Sequence, residues 1–358
     1  MTEYVGSGLS AVVVNYNGGD RVLSCIQSIR TFGPQVDEII LVDNGSKDGS
    51  PERIIASFPE VRLLVLEDNP GPSVARNRGL RQAGHRCVLL IDADTQVTQG
   101  AISELLDARD RTGAAIVCPR LVFSPDGETV QCDGAAPYFL GTLILNNANV
   151  ALDKGAEPQP VDGLISTFIL VDRDVVLEAG GFNEAFFFYF EDLEFGLRLR
   201  LLGHEIICAS RAVVLHDRGS GYSDLSFRGS GKYPKQRAYL SMRNRLLTIA
   251  ICFHWRTILV LLPALLFYEC ATLALALARG WLPQWINGWW WLIVNRRQIS
   301  VMRRHVQTHR RVPDRDVLRG SPLPLADGLF RGWLLGSLVK FLSAVFSSYW
   351  RIARVAVR

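Results

Sequence analysis

Two carboxylates separated by a single residue, Asp92-Ala93-Asp94, follow directly on the apolar run Val88–Ile91. At the mouth of a buried strand such acids repel each other and are costly to desolvate, and a divalent cation removes that cost. Hard oxygen ligands suit Mg2+ or Mn2+, with a substrate diphosphate completing the shell. The same acids also suit a solvated turn that caps the next helix, and so short a pattern does not separate the two by itself.

Four other groups carry chemistry of a related kind. Leu41-Val42-Asp43-Asn44-Gly45-Ser46 again ends a strand in an acid, able to accept hydrogen bonds from a nucleobase or ribose, or simply to close an Asx turn. Asn69-Pro70-Gly71-Pro72 leads into a helix with Arg76 and Asn77 early in it. Helix N-termini and arginine favour anions, although a capped surface helix has the same pattern. Phe186–Phe190 is an unbroken aromatic run before Glu191-Asp192. An apolar wall raises a carboxylate's pKa toward that of a useful general base, while acids at a helix start are also favoured by the dipole alone. His216 ends the last strand of this half and becomes a metal ligand only if the fold carries it to Asp94. Neither GxGxxG nor GxxxxGK[ST] occurs, so dinucleotide and P-loop sites lack support.

These residues need a scaffold that brings strand ends together. Leu9–Asn15, Glu38–Asp43, Val61–Glu67 and Cys87–Ile91 read as strands, and Leu23–Thr31, Pro51–Phe58 and Val74–Ala83 as helices between them. That alternation predicts an α/β fold with a mostly parallel sheet covered on both faces, which binds ligands at the carboxyl ends of its strands. Residues 120–162 read as loop-rich. Beyond them come an apolar segment Leu164–Val171, helices over Arg173–Ala179 and Glu191–Leu202, and a strand Ile206–Leu215.

Taken in order, Asn15-Tyr16-Asn17, Asp43-Asn44-Gly45-Ser46, Asn69-x-Gly71 with Ala75-Arg76-Asn77-x-Gly79, Asp92-x-Asp94, Gly180-Gly181-Phe182, Glu191-Asp192 and His216 resemble the family 2 glycosyltransferases of the GT-A fold. The similarity is greatest to bacterial rhamnosyltransferase-like members that build cell-surface polysaccharides. The resemblance implies a Rossmann-like catalytic domain and an inverting, metal-dependent hexosyltransferase. Asn15, Tyr16, Asp43, Asn69, Arg76, Asp92, Ala93 and Asp94 would hold the nucleotide-sugar, dTDP- or UDP-linked, with rhamnose one candidate. Asp94 and His216 would bind Mn2+ or Mg2+. Asp192 would be the catalytic base, with Glu191 beside it positioning the acceptor. Ser166 stands where family members commonly carry glycine, and Asn183 and Glu194 where they often carry Asp, which leaves the acceptor open. The Gln-x-x-Arg-Trp signature of processive synthases is absent, so one or few sugars are added.

The bulk composition separates two halves. Residues 1–216 carry 17 Lys+Arg against 29 Asp+Glu, a net −12, whereas residues 217–358 carry 22 against 6, a net +16. The basic half is also apolar and Trp-rich, which fits anionic lipid better than nucleic acid, although a basic soluble helical domain has the same composition. The expected division is a catalytic domain over 1–225, binding the nucleotide-sugar through residues 1–120 and the acceptor through residues 121–225, then a helical membrane-associated region over 226–358.

Within that region, 258–278 is long enough to span a bilayer, but Glu269 makes a simple lipid-facing span costly, so a re-entrant or in-plane hairpin stays open. Residues 328–358 read as an amphipathic helix, basic on one side. It suits a membrane interface, and equally packing on the catalytic domain or on a second copy. The seven cysteines form no CxxC pair and read as reduced, and the N-terminus shows no signal peptide, so the expected location is the cytoplasmic face of the bacterial inner membrane. The expected acceptor is a lipid-linked glycan. A polyprenyl-phosphate glycosyltransferase and a catalytically inactive scaffold of the same fold are the alternatives.

Overall fold

The computed structural model describes residues 8–217, 233–323 and 333–357. The expected boundary at 225/226 and the first residues of the 328–358 segment lie outside the described residues.

The first half alternates as anticipated: β1 (Leu9–Asn15), α1 (Asp20–Phe32), β2 (Val36–Asp43), α2 (Ser50–Ser57), β3 (Arg62–Val65), α3 (Pro72–Gln82) and β4 (Cys87–Asp92). There follow β5 (Thr95–Val97), α4 (Ala101–Thr112), β6 (Ile116–Phe123), β7 (Val130–Asp133), β8 (Ala135–Tyr138), β9 (Thr142–Leu145), β10 (Gln159–Val161), β11 (Phe168–Asp172), α5 (Arg173–Glu178), α6 (Glu191–Leu201) and β12 (Ile206–His216). The main sheet runs β10-β12-β6-β11-β4-β1-β2-β3, with β5 on β12 and β7 on β6. Its β1–β4 block is parallel, and every residue of β1 is buried, as continuous apolar strands covered on both faces should be.

Two features depart from the sequence reading. β11 lies antiparallel between β4 and β6, so the sheet is mixed at its centre. Residues 120–162, expected to be loop-rich, hold β7 to β10 and the end of β6. These strands are three or four residues long apart from β6, too short to show periodicity over the turns between them.

Register sets the site. Asn15 lies level with Asp43, and Val14 with Asp92, so the carboxyl ends of three parallel strands open on one edge. On the other side β12 pairs with β5, His216 opposite Thr95, and the Asp217 amide donates to the Asp94 carbonyl at 2.9 Å. The far strand end is thereby stitched to the Asp92–Asp94 turn.

The second half is helical: α7 (Lys235–Cys252), α8 (Trp255–Arg279), α9 (Leu282–Val294), α10 (Arg296–His309), a short α11 (Asp314–Val317) and α12 (Trp333–Ala353). α8 is continuous through Pro263 and buries Leu261, Ala264 and Leu265. Its other side leaves Leu259, Leu262, Leu266, Phe267 and Leu277 exposed. Glu269 is ion-paired with Arg245 of α7, whose guanidinium also lies 3.9 Å from the Tyr268 ring centroid. The carboxylate that made a lipid-facing span costly is thus turned toward protein. α12 docks Phe346, Trp350 and Ala353, with Trp350 stacked on Phe139 at 5.2 Å, and leaves Phe341, Val345 and Ile352 exposed. Its broad apolar face therefore divides between the protein core and the outside.

Candidate active site

A cavity of about 350 Å³ opens at the carboxyl ends of β1 and β4. Tyr16, Arg76, Asp92, Ala93, Asp94, Glu191, Asp192 and His216 all line it. Residues separated by up to 200 positions in sequence thus face one space.

At one end, His216 Nε2 lies 3.6 Å from Asp94 Oδ2. The other ring nitrogen, Nδ1, is 2.8 Å from Gln131 Oε1. With that oxygen accepting, Nδ1 carries the hydrogen and Nε2 presents its lone pair toward Asp94, the arrangement of an imidazole oriented for a metal by its outer hydrogen bond. Among the described residues no group of three or more His, Cys, Asp and Glu side chains gathers as a metal cluster. Asp94 and His216 alone are a pair of oxygen and nitrogen donors with room left for substrate oxygens. They fit a divalent ion that shares its shell with a diphosphate, and the imidazole suits Mn2+ better than Mg2+.

In the middle, buried Arg76 donates from Nη2 to Asp92 Oδ1 at 2.7 Å and lies 4.0 Å from Glu191. Burial disfavours its charge, but Asp92, Asp192 and Glu191 more than offset that and hold the guanidinium protonated above its ordinary range. Burial lifts the Asp92 carboxyl to about 6 against the pull of Arg76, with Asp94 adding to the rise.

At the far end, burial and then the Asp192 charge lift Glu191 to about 8, so at neutral pH this carboxyl keeps its proton. Asp192 Oδ1 accepts from the Ser166 amide at 3.1 Å and from the Ser166 hydroxyl. Ser166, fully buried, therefore fixes the orientation of Asp192.

The aromatic run between these ends is held in an unusual backbone. Phe187, Tyr189 and Phe190 have φ of 62°, 66° and 67°, a left-handed conformation that costs a non-glycine residue about 1–3 kcal/mol. Asn244 of α7 compensates by donating to the carbonyls of Phe186, Phe188 and Tyr189 at 2.9, 2.9 and 2.7 Å, and Arg243 donates to those of Ala185 and Phe186. Phe188, Tyr189 and Phe190 are thereby turned into the cavity wall. Gly71 has φ +98°, and a Cβ there would meet the Phe187 carbonyl at 2.6 Å, so only glycine lets the turn into α3 pass beneath this loop.

Three expected nucleotide-sugar residues do not reach the cavity wall. Asn15 is buried and donates to Asp43, Ser46 and Ser50, and Asp43 in turn accepts from the Ser46 amide and hydroxyl. Their side chains shape the turn, although Asn15 Oδ1 is buried without a hydrogen-bond partner. Asn69 likewise accepts from the Gly71 amide in its own loop and does not line the cavity.

Residues that sequence reasoning passed over do line it, among them Asn17, Arg21, Asn44 and Arg237. Asn44 is 1% exposed, and neither its Oδ1 nor its Nδ2 has a hydrogen-bond partner, leaving a donor and an acceptor for a bound group. Its signal was present in the Asp43-Asn44 dipeptide, where the acid drew attention and the amide did not. Gln131 and Arg237 gave no local signal. Asn77 and Glu194 prove architectural: Asn77 bonds both the amide and the carbonyl of Phe182 at 2.8 Å, and Glu194 pairs with buried Arg198.

Comparison with known proteins shows the family and the fold. Residues 10–177 match the profile described as Glycosyl transferase family 2. The N-acetylglucosaminyl-diphospho-decaprenol L-rhamnosyltransferase of Mycobacterium tuberculosis (strain H37Rv) is 30% identical over 233 residues, 59% of this chain and 76% of that protein. Among solved structures, S. aureus TarS 1–349 in complex with UDP-GlcNAc superposes with a TM-score of 0.55 at 16% identity, over 97% of this chain and 90% of that one. The mannosyltransferase PcManGT of Pyrobaculum calidifontis, in complex with GDP-Man and Mn2+, gives 0.50 at 16% identity, over 86% of each chain. These structural likenesses carry the fold.

Proposed function

We infer that this chain, which belongs to glycosyltransferase family 2, moves a sugar with inversion from a nucleoside-diphosphate sugar to a hydroxyl of a lipid-linked glycan at the cytoplasmic membrane face. One observation carries the reading: an Asp94–His216 pair and the adjacent acids Glu191 and Asp192 line a single cavity.

Asp94 and His216 would hold a divalent ion, Mn2+ or Mg2+, and the Mn2+ named with the mannosyltransferase neighbour supports that choice. When bound, the ion offsets negative charge on the departing diphosphate. The chain's own residues do the rest. Tyr16 and Asn44 stand at the nucleoside end, with Asn15 and Asp43 shaping the turn that presents Asn44. Asp92, held by Arg76, faces the ribose. Asp192, oriented by Ser166, takes the proton of the acceptor hydroxyl. That oxygen bonds to the anomeric carbon, the bond from that carbon to the phosphate oxygen breaks, and the nucleoside diphosphate leaves. Glu191 keeps its proton at neutral pH and can donate to the acceptor, so two adjacent acids take separate roles. Phe188, Tyr189 and Phe190 exclude water from the reacting centre.

The decaprenol-linked substrate in the mycobacterial relative's name supports a lipid-linked acceptor, and its rhamnose supports a deoxysugar donor. The exposed apolar side of α8, the tryptophans of α9 and the arginines of α10 form a surface suited to an anionic interface. Because Glu269 is tied to Arg245 of α7, an in-plane position of α8 fits better than a crossing. The experiment is nucleoside diphosphate release from UDP-, dTDP- and GDP-sugars with Mn2+ or Mg2+ and a membrane lipid extract. Lipid-stimulated release from one donor, lost with chelator and in Asp94→Asn, is expected. Silence across the panel, with no metal-dependent donor binding by calorimetry, would favour an inactive scaffold.

A further inference from the structure

A second cavity, about 510 Å³, opens between α7 and α9 and shares no lining residue with the first. The two helices touch where buried Gly288 faces the Arg243 backbone, with room there for no more than a methyl group. Gln284 and Asn287, one turn apart, place carboxamides on the groove side of a helix otherwise rich in Trp, Ile and Leu, and Asn295 just past its end adds a carboxamide whose nitrogen donates to the Trp291 carbonyl at 2.8 Å. Gln236 adds a fourth carboxamide from α7, and Trp290, 63% exposed, stands at the rim. Gln284 Oε1 is buried without a hydrogen-bond partner, an acceptor left for whatever enters.

The chemistry of this lining is specific. Carboxamides offer paired donors and acceptors, which match vicinal hydroxyls, and an indole face packs against the C–H face of a sugar ring. An anion site would call for clustered Arg and Lys. Here the groove has one lysine, Lys235, while nearby Arg243 is engaged by the Ala185 and Phe186 carbonyls and by Trp291, 4.6 Å from its ring centroid.

The groove also begins beside the catalytic cavity. Gln236 lines the groove, whereas the next residue, Arg237, lines the active site and lies 4.6 Å over the Tyr189 ring. We propose that the α7/α9 groove binds a neutral sugar unit of the acceptor behind the one that receives the transferred residue. The proposal rests on the transferase reading and adds that the preferred acceptor is longer than one sugar.

The test measures transfer to a lipid-linked glycan extract in Asn287→Ala, Trp290→Ala and Lys235→Ala, with donor hydrolysis by water alongside. Tryptophan fluorescence is also titrated with the oligosaccharide released from that extract by mild acid. Asn287→Ala and Trp290→Ala should raise the acceptor KM about fivefold or more, the worth of a hydrogen bond near 1 kcal/mol, with kcat and donor hydrolysis nearly unchanged. Lys235→Ala should do less, and the free oligosaccharide should shift wild-type fluorescence but not that of Trp290→Ala. A dominant Lys235→Ala effect would make the groove an anion site. A KM effect confined to the lipid-bound acceptor would make it a membrane surface. No change in any variant would remove it as a site. If the wild type shows neither transfer to the extract nor metal-dependent donor binding, the transferase reading fails, while the fluorescence titration still reports on the groove.

Discussion

The amide and the hydroxyl of Ser166 both reach Asp192. Ser166→Gly removes one of these anchors and frees the carboxylate to rotate. We expect kcat to fall by about tenfold, with donor affinity unchanged, because misorientation of a base acts on the transition state. Steady-state kinetics on the two substrates checks this. Glu191 gives a second residue-scale prediction. Its folded carboxyl sits at about 8, above the ordinary glutamate range, so the folded state holds a proton that the unfolded state releases. Stability is therefore expected to fall as pH rises through the interval between the unfolded value and about 8. Glu191→Gln should flatten that decline, seen as urea midpoints at mildly acid and mildly alkaline pH that lie closer together than in the wild type. At this scale the sequence marked strand ends that the fold brings to one cavity, as at Asp92, Asp94 and His216. Asn15 and Asp43 also stand at strand ends, where a polar side chain can face a ligand or brace the turn, and the sequence does not distinguish the two.

The aromatic loop and α7 form one device. Left-handed backbone at Phe187, Tyr189 and Phe190 persists because Asn244 caps three of the loop's carbonyls. Asn244→Ala removes this donor from the Phe188 and Tyr189 carbonyls, while Phe186 keeps Arg243, and should cost about 2 kcal/mol or more in stability, with a larger loss of transfer than of donor binding. Chemical denaturation and donor calorimetry measure the two separately. No sequence pattern announced this link, since one asparagine between two arginines in α7 has no periodicity of its own. The parallel strands, by contrast, were legible from their continuous apolar runs. β11 was visible as an apolar segment, but its antiparallel insertion was not, because direction is set by pairing with β4 and β6 rather than by composition.

Across the whole molecule, an acidic catalytic half sits on a basic, apolar helical half. Exposed Leu262 and Leu266 lie on the side of α8 away from buried Leu261 and Leu265. Replacing both with Glu should reduce sedimentation with anionic vesicles by about tenfold or more, given some 1.5–3 kcal/mol for each buried leucine, and leave donor hydrolysis in solution intact. Resistance of the wild-type protein to alkaline extraction from membranes would instead indicate a spanning α8. The composition shifts near residue 217, but nothing in it tells how the two parts meet. Arg245, Asn244 and Arg237 reach back from α7 to the Leu140 carbonyl, the aromatic loop and the catalytic cavity, and none of these long-range pairs has a local signature.

The central claim is that one cavity joins a diphosphate-binding end to a proton-accepting end. Asp192→Asn tests it most directly, with donor binding followed by calorimetry in the presence of Mn2+ and transfer followed by product formation on the lipid-linked acceptor. Retained donor binding with transfer reduced by about a thousandfold or more is the predicted result for loss of a general base. Transfer at the wild-type rate would contradict the account.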